Sequence, residues 1–235
     1  MVSNLDSPRR AYWRIRMTAR EVSNAGGWRR WLFYLPGPGP RLMSSLRKRW
    51  VTFRNPHAHI EFLGRVYLGP RFSLDMPHGG TFIVGPNVEF RRGFRAEFGA
   101  PYTRITIGEG SRFTYDALIQ CTTSIDIGRH CMVGQATLLV DGNHRFRDTD
   151  RPLLEQGHEW RPLRIADGAA IFTKATVIAD VGEKAIVAAN SLVTQPVPAC
   201  TLVGGVPARV LDYFGPPGQG PARRGARPAS PSTAS

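Results

Sequence analysis

Two histidines, three aspartates, a glutamine and a tryptophan fall within one stretch, Asp141-Gly-Asn143-His144-Arg-Phe-Arg-Asp148-Thr-Asp150-Arg-Pro152-Leu-Leu-Glu-Gln156-Gly157-His158-Glu-Trp160-Arg-Pro162. Histidine suits proton transfer, because an unperturbed pKa of about 6.5 leaves it mostly neutral yet basic near pH 7. A neighbouring acceptor such as Asp141 or Asn143 could fix the tautomer of His144. The plain alternative is a loop histidine facing solvent. His130 lies between regularly repeating positions and is expected to point outward, and His57, His59 and His78 belong to no pattern. Cys121, Cys131 and Cys200 lack metal-like spacing and suggest a reducing compartment. A zinc enzyme of the γ-carbonic anhydrase kind would need three converging histidines, and the spacing offers none.

What must position this stretch is a repeat that it interrupts. An aliphatic residue, often followed by glycine, then two polar or small residues, then a small one, returns every six positions. It reads Ile107-Gly-Glu-Gly-Ser111, Ile127-Gly-Arg-His-Cys131, Val133-Gly-Gln-Ala-Thr137, Ile165-Ala-Asp-Gly-Ala169, Val181-Gly-Glu-Lys-Ala185 and Val187-Ala-Ala-Asn-Ser191, with weaker copies at 68–72 and 84–88. Such a period implies an all-β solenoid, with positions one and five turned inward and three hexads making one triangular coil. Glycine at position two is expected to permit the tight corner. Cys131, at position five, reads as a small buried hydrophobe. A β-sandwich would alternate with period two and has no reason to hold period six. The repeat stops after Leu139 and resumes at Ile165, so residues 140–163 form an excursion, and long loops of this kind are disproportionately functional.

Charge divides the chain into zones. Residues 1–60 hold 12 Lys and Arg against 2 acids, whereas residues 61–211 hold 16 against 15. The basicity therefore belongs to an N-terminal arm that also contains Trp13, Trp28, Trp31 and Trp50. On a helix over 41–54, Leu42, Met43, Leu46, Trp50 and Phe53 share an arc of roughly 100°. Cations on one side and aromatics on the other suit an anionic membrane surface, while a helix covering the open end of the solenoid is the competing role. Pro36-Gly-Pro-Gly-Pro40 reads as a linker, and residues 213–235, rich in Pro, Gly, Ser and Ala, as a disordered tail. No apolar run approaches the roughly 20 residues of a membrane span. The first residues lack the apolar core of a secretory signal. No motif supports nucleic-acid binding.

Three motifs carry a resemblance: Asp141-Gly-Asn-His144, then Asp148-Thr-Asp-Arg-Pro152, then Gln156-Gly157-His158. Together with the closing stretches 193–198 and 204–211, they are similar to the hexapeptide-repeat acyltransferases, such as the maltose and galactoside O-acetyltransferases and the surface-polysaccharide O-acetyltransferases. The likeness covers roughly 66–212. It implies a left-handed parallel β-helix at 61–212, following the basic helical arm read at 1–60 from its charge, and assembly as a homotrimer with sites between neighbours. It implies acetyl-CoA as co-substrate, no metal, and a sugar or cell-surface glycan precursor as acceptor. By the same resemblance His144 is the general base, with Asp141 and Asn143 beside it. Asp116, Asp148, Gln156, His158 and Trp160 would meet the acceptor, and Thr173, Ala189, Thr194 and Arg209 would line the CoA groove. The expected location is the cytoplasm, and the basic, Trp-rich arm would suit work at the inner face of a membrane.

Two departures fall in the region that would line the groove. Ala170-Ile171-Phe172 stands where the family reads Trp-Ile-Gly, and two residues are missing before Val181. A reshaped groove, or a scaffold that has lost activity, would each follow from such changes.

Overall fold

The computed structural model describes residues 38–221, with side chains from residue 41 onward. Three parallel sheets form the faces of a triangular solenoid. The first face stacks Ala58–Phe62, Gly80–Val84, Arg104–Ile107, Ser124–Ile127 and Leu163–Ile165, and single bridges extend it through Val181 to Val197. The second runs from Val66–Leu68 to Thr201–Gly204, and the third from Ser73–Asp75 to Leu192–Val193. Within each coil the chain visits the faces in order, so every strand pairs with its counterparts one coil before and after.

The inward pattern holds. Ile107, Ser111, Ile127, Cys131, Val133, Thr137, Ile165 and Ala169 are all buried. The coil length, however, is not constant at 18. Phe62 pairs with Val84 and Val84 with Ile107, coils of 22 and 23 residues. Ile107 pairs with Ile127, and the last two steps, Ile165 to Val181 to Val197, take 16 each. The core tapers with the coil. Phe72, Phe82, Phe90, Phe94, Phe98 and Phe113 pack ring against ring at the wide end, whereas Ala169, Ala175 and Ala185 line the narrow one. Hexads with phenylalanine at position one or five, Phe90–Phe94 and Phe113–Ala117, belong to the same repeat.

The corners are made differently from the sequence expectation. The left-handed residue is position four: His130, Ala136, Lys174, Lys184 and Asn190 have φ between 52° and 59°. Glycine at position two serves coil stacking instead. A Cβ on Gly108 would sit 2.5 Å from the Gly128 carbonyl carbon, and one on Gly182 2.5 Å from the Ala199 nitrogen. Phe172 therefore does not remove a turn residue, and its amide still donates to Val187 at 2.9 Å. The shortened hexad is accommodated too, because Asp180 Oδ1 accepts the Arg164 amide at 2.8 Å and Val181 donates to Arg164 at 2.9 Å.

A helix, Pro38–Arg54, precedes the first coil. Residues 38–40, expected in a linker, form its first turn, where proline costs no backbone donor. Its inner side covers the free edge of Val66–Leu68: Ser44 Oγ accepts the Leu68 amide at 2.9 Å, and Arg47 Nη1 donates to the Leu68 carbonyl at 2.9 Å. Val51 is buried with the core, and Lys48 lies over the Phe62 ring. At the other end, Arg209–Tyr213 pairs antiparallel with Thr201–Gly204. The expected tail boundary falls inside this strand, and a Cβ on Gly220 would touch the Tyr213 ring, so the chain stays against the solenoid to residue 220. Trp13, Trp28, Trp31 and residues 222–235 lie outside the described residues. Among the described residues, no helix is long and apolar enough to cross a membrane.

Candidate active site

The excursion leaves from the corner between the third and first faces, directly after Leu138–Val140. Its root is Asp141, only 2% exposed. The carboxylate accepts the Thr122 amide at 3.0 Å, the Thr123 amide at 2.6 Å, the Thr123 hydroxyl at 2.7 Å and the Cys121 thiol at 3.5 Å. A buried charge needs such a set of donors. Asp141 is thus the anchor of the loop and makes no hydrogen bond to His144, which corrects the tautomer-fixing role expected for it. Thr122 and Thr123, one coil below, carried no sequence signal of their own. Burial first, and then the charge of Asp141 and the hydrogen bond to it, push the Cys121 thiol far above its ordinary range.

From this root a short hairpin rises. Gly142–His144 pairs antiparallel with His158–Trp160, setting Gly142 opposite Trp160 and His144 opposite His158. Gly142 is required because a Cβ there would overlap the Trp160 ring and crowd the Glu159 carbonyl oxygen. The residues on that side form a stack: His144 against His158 with centroids 4.2 Å apart, and His158 on Trp160 at 4.8 Å and 14°. Alternation of the strands sends Asn143 and Glu159 to the other side, where Arg161 binds Glu159 at 2.7 Å. The neck closes through the Arg161 amide on the Asp141 carbonyl, 2.7 Å, and the Arg145 amide on Gly157, 3.0 Å.

Beyond the hairpin the loop is tied to itself. Gln156 Oε1 accepts the Asp148 amide at 3.0 Å, and its Nε2 donates to the carbonyls of Asp148 and Arg151 at 2.8 and 2.9 Å. Asp148 Oδ1 accepts the Asp150 amide at 3.0 Å. Gln156 and Asp148 thus shape the loop through these bonds. An open hollow of about 450 Å³ lies beside His144, bounded also by Asn143, Phe146, Arg147 and Arg151. His144 is exposed, packs its imidazole against the His158 ring and lines the hollow.

The remaining candidates gather elsewhere. Thr173 and Ala189 are exposed and stacked in successive coils at the corner between the second and third faces, linked by the Asn190 amide on the Thr173 carbonyl at 3.0 Å. Arg209 is exposed one coil further on, paired with Gly204. Lys174, which sequence reasoning passed over, projects from the same corner beside Thr173. Thr194 does not join them: it follows Val193 at the corner between the third and first faces, above the root of the loop. Asp116 sits at the Thr173 corner with φ of 56° and not beside His144. Within one chain the two corners are about 17 Å apart, five residues at roughly 3.3 Å each. Among the described residues, no three His, Cys, Asp or Glu side chains are grouped as a metal site.

No protein-family model matches the chain. It is 24% identical over 168 residues to "Probable acetyltransferase Rv3034c" of Mycobacterium tuberculosis, a match covering 69% of this chain and 55% of that protein. The chain therefore spans about half the length of this curated relative. Among solved structures, the hexapeptide-repeat containing acetyltransferase VCA0836 of Vibrio cholerae O1 biovar eltor, complexed with acetyl coenzyme A, is similar with TM-score 0.50 and 20% identity, over 76% of this chain and 88% of that one. A mutant of AntD, an N-acyltransferase from Bacillus cereus in complex with dTDP-4-amino-4,6-dideoxyglucose and coenzyme A, reaches TM-score 0.60 at 15% identity, over 74% and 89%. Repeat, register and these likenesses agree on one architecture: the chain has the left-handed parallel β-helix fold of the hexapeptide-repeat transferases.

Proposed function

We propose that the protein is an acyl-CoA-dependent O-acyltransferase that moves an acyl group, acetyl in the simplest case, to a hydroxyl of a sugar or glycan precursor. The observation that carries this reading is the hairpin that holds His144 against His158 and Trp160 at the mouth of an open hollow. His144 takes the proton of the acceptor hydroxyl as its oxygen attacks the thioester carbonyl. The tetrahedral intermediate collapses, the carbon–sulfur bond breaks, and the departing thiolate receives the proton. The His158–Trp160 surface offers an aromatic platform on which a sugar ring can rest.

The co-substrate belongs at the corner of Thr173 and Ala189. Small exposed residues there let a pantetheine arm approach the backbone, and Lys174 and Arg209 supply cations for phosphate groups. VCA0836 and AntD were solved with acetyl coenzyme A and coenzyme A, which favours the same class of ligand here. Because His144 and this corner stand at opposite ends of the third face, the reading assigns a complete site to two neighbouring chains of a trimer. Phe146 and Leu154, exposed on the loop, are then contacts for the neighbour.

Isothermal titration with acetyl-CoA tests the ligand directly. Saturable binding in the range of about 1 μM to 1 mM is expected, weakened by roughly tenfold or more in Lys174→Glu/Arg209→Glu and unaltered in His144→Ala. Absence of binding would favour a β-helix that serves only as a scaffold.

A further inference from the structure

We infer that the outer side of the helix Pro38–Arg54 is a docking surface for an anionic lipid bilayer. The helix performs two tasks with two sides. Ser44, Arg47 and Val51 hold it to the first coil, and at 100° per residue the centre of the apolar arc lies roughly 120° around the axis from them. Leu42, Met43, Leu46, Trp50 and Phe53 are thereby displayed to solvent, with Trp50 58% and Phe53 76% exposed. The Trp50 and Phe53 rings lie side by side, centroids 6.1 Å apart and inclined by 29°. A contiguous apolar face of this kind marks an interaction site.

Charge selects the occupant. The 17 residues of the helix contain five cations and no acid. Arg49 and Arg54 border the arc, at roughly 20° beyond either edge by the same helical count. Long cationic side chains at the margin of an apolar stripe can reach lipid headgroups while the stripe enters the interface. A second copy fits this face poorly, because apposing two such arcs brings the arginines of both into the same rim. The cap geometry also gives the contact a consequence: docking places the first coil at the bilayer and leaves the loop three coils away, about 15 Å at ~4.8 Å per coil.

Flotation of the full chain with vesicles of phosphatidylcholine alone, or of phosphatidylcholine with phosphatidylglycerol, tests the inference. The protein is expected to float with the anionic vesicles, and less well at high salt. Trp50→Ser/Phe53→Ser should lower partitioning by at least roughly tenfold. Arg49→Gln/Arg54→Gln should lower it severalfold and reduce the salt dependence. Neither pair touches the proposed acyl-transfer machinery, so thermal unfolding and acetyl-CoA titration should match the parent protein. Failure of the full chain to float with anionic vesicles at low salt would overturn the inference. Unchanged flotation of the aromatic variant would do so as well, since binding would then reside in residues 1–37. Unchanged flotation of the arginine variant would refute charge selection. Self-association that the aromatic variant abolishes, without vesicle binding, would assign the face to a second copy.

Discussion

Asp141 shows how a residue can be located from sequence and yet be given the wrong task. Its place beside His144 suggested a hydrogen bond to the imidazole. Burial decides otherwise, because a carboxylate 2% exposed must spend its lone pairs on donors at hand, and Thr122, Thr123 and Cys121 supply them. The Cys121 thiol is held protonated by burial first and by Asp141 second. In the unfolded chain this thiol ionises near the ordinary cysteine value, about 8.5, whereas in the folded chain it keeps its proton. Above that pH the unfolded state binds fewer protons than the native state, so stability falls as pH rises. The expected slope is up to about 1.4 kcal/mol per pH unit. Urea unfolding of the parent and of Cys121→Ala between pH 8 and about 11 checks it. The variant should lose up to one proton's worth of slope, and identical slopes would remove Cys121 from the account.

At the scale of elements, the period of six made the solenoid legible, and the cessation of that period bounded the loop. The inward positions followed as well, because burial in a coil depends only on position within the hexad. Other features depended on contacts between coils. Glycine at position two proved to answer to the backbone of the next coil, as at Gly108, and position four to the turn itself. Phenylalanine hexads such as Phe90–Phe94 escaped notice because their core residues are larger in a wider coil. The loop motifs identified His144, His158 and Trp160 as a group. The hairpin that stacks them could not be read from residues 14 positions apart. Gly142 is the link between the two. In Gly142→Ala the new methyl would require Trp160 to move, releasing His158 and with it His144. Acyl transfer should fall by roughly 10- to 100-fold through lost positioning, while the melting temperature shifts by only a few degrees, about 1 kcal/mol. Transfer within a factor of about two of the parent would mean that the stack does not position the base.

Across the whole molecule, the taper from 22- and 23-residue coils to 16-residue coils separates two ends with different work. The wide end carries the capping helix and its exposed aromatics, and the narrow end carries the corner of Thr173, Ala189 and Arg209. The loop leaves between them. Charge follows the same division, since the net basicity lies in residues 1–60 and not in the solenoid. Both proposals rest on this layout, but they stand apart: vesicle binding can fail with transfer intact, and the reverse. His144 is proposed as the base of an acyl transfer from CoA. The most direct test of this role is the rate of acetyl transfer from acetyl-CoA to a panel of small sugars by the parent protein and by His144→Ala. Measurable transfer by the parent is expected, falling as the medium is acidified, with a loss of roughly 10²- to 10⁴-fold in the variant and acetyl-CoA affinity preserved. Transfer by His144→Ala within a factor of about three of the parent would contradict that role.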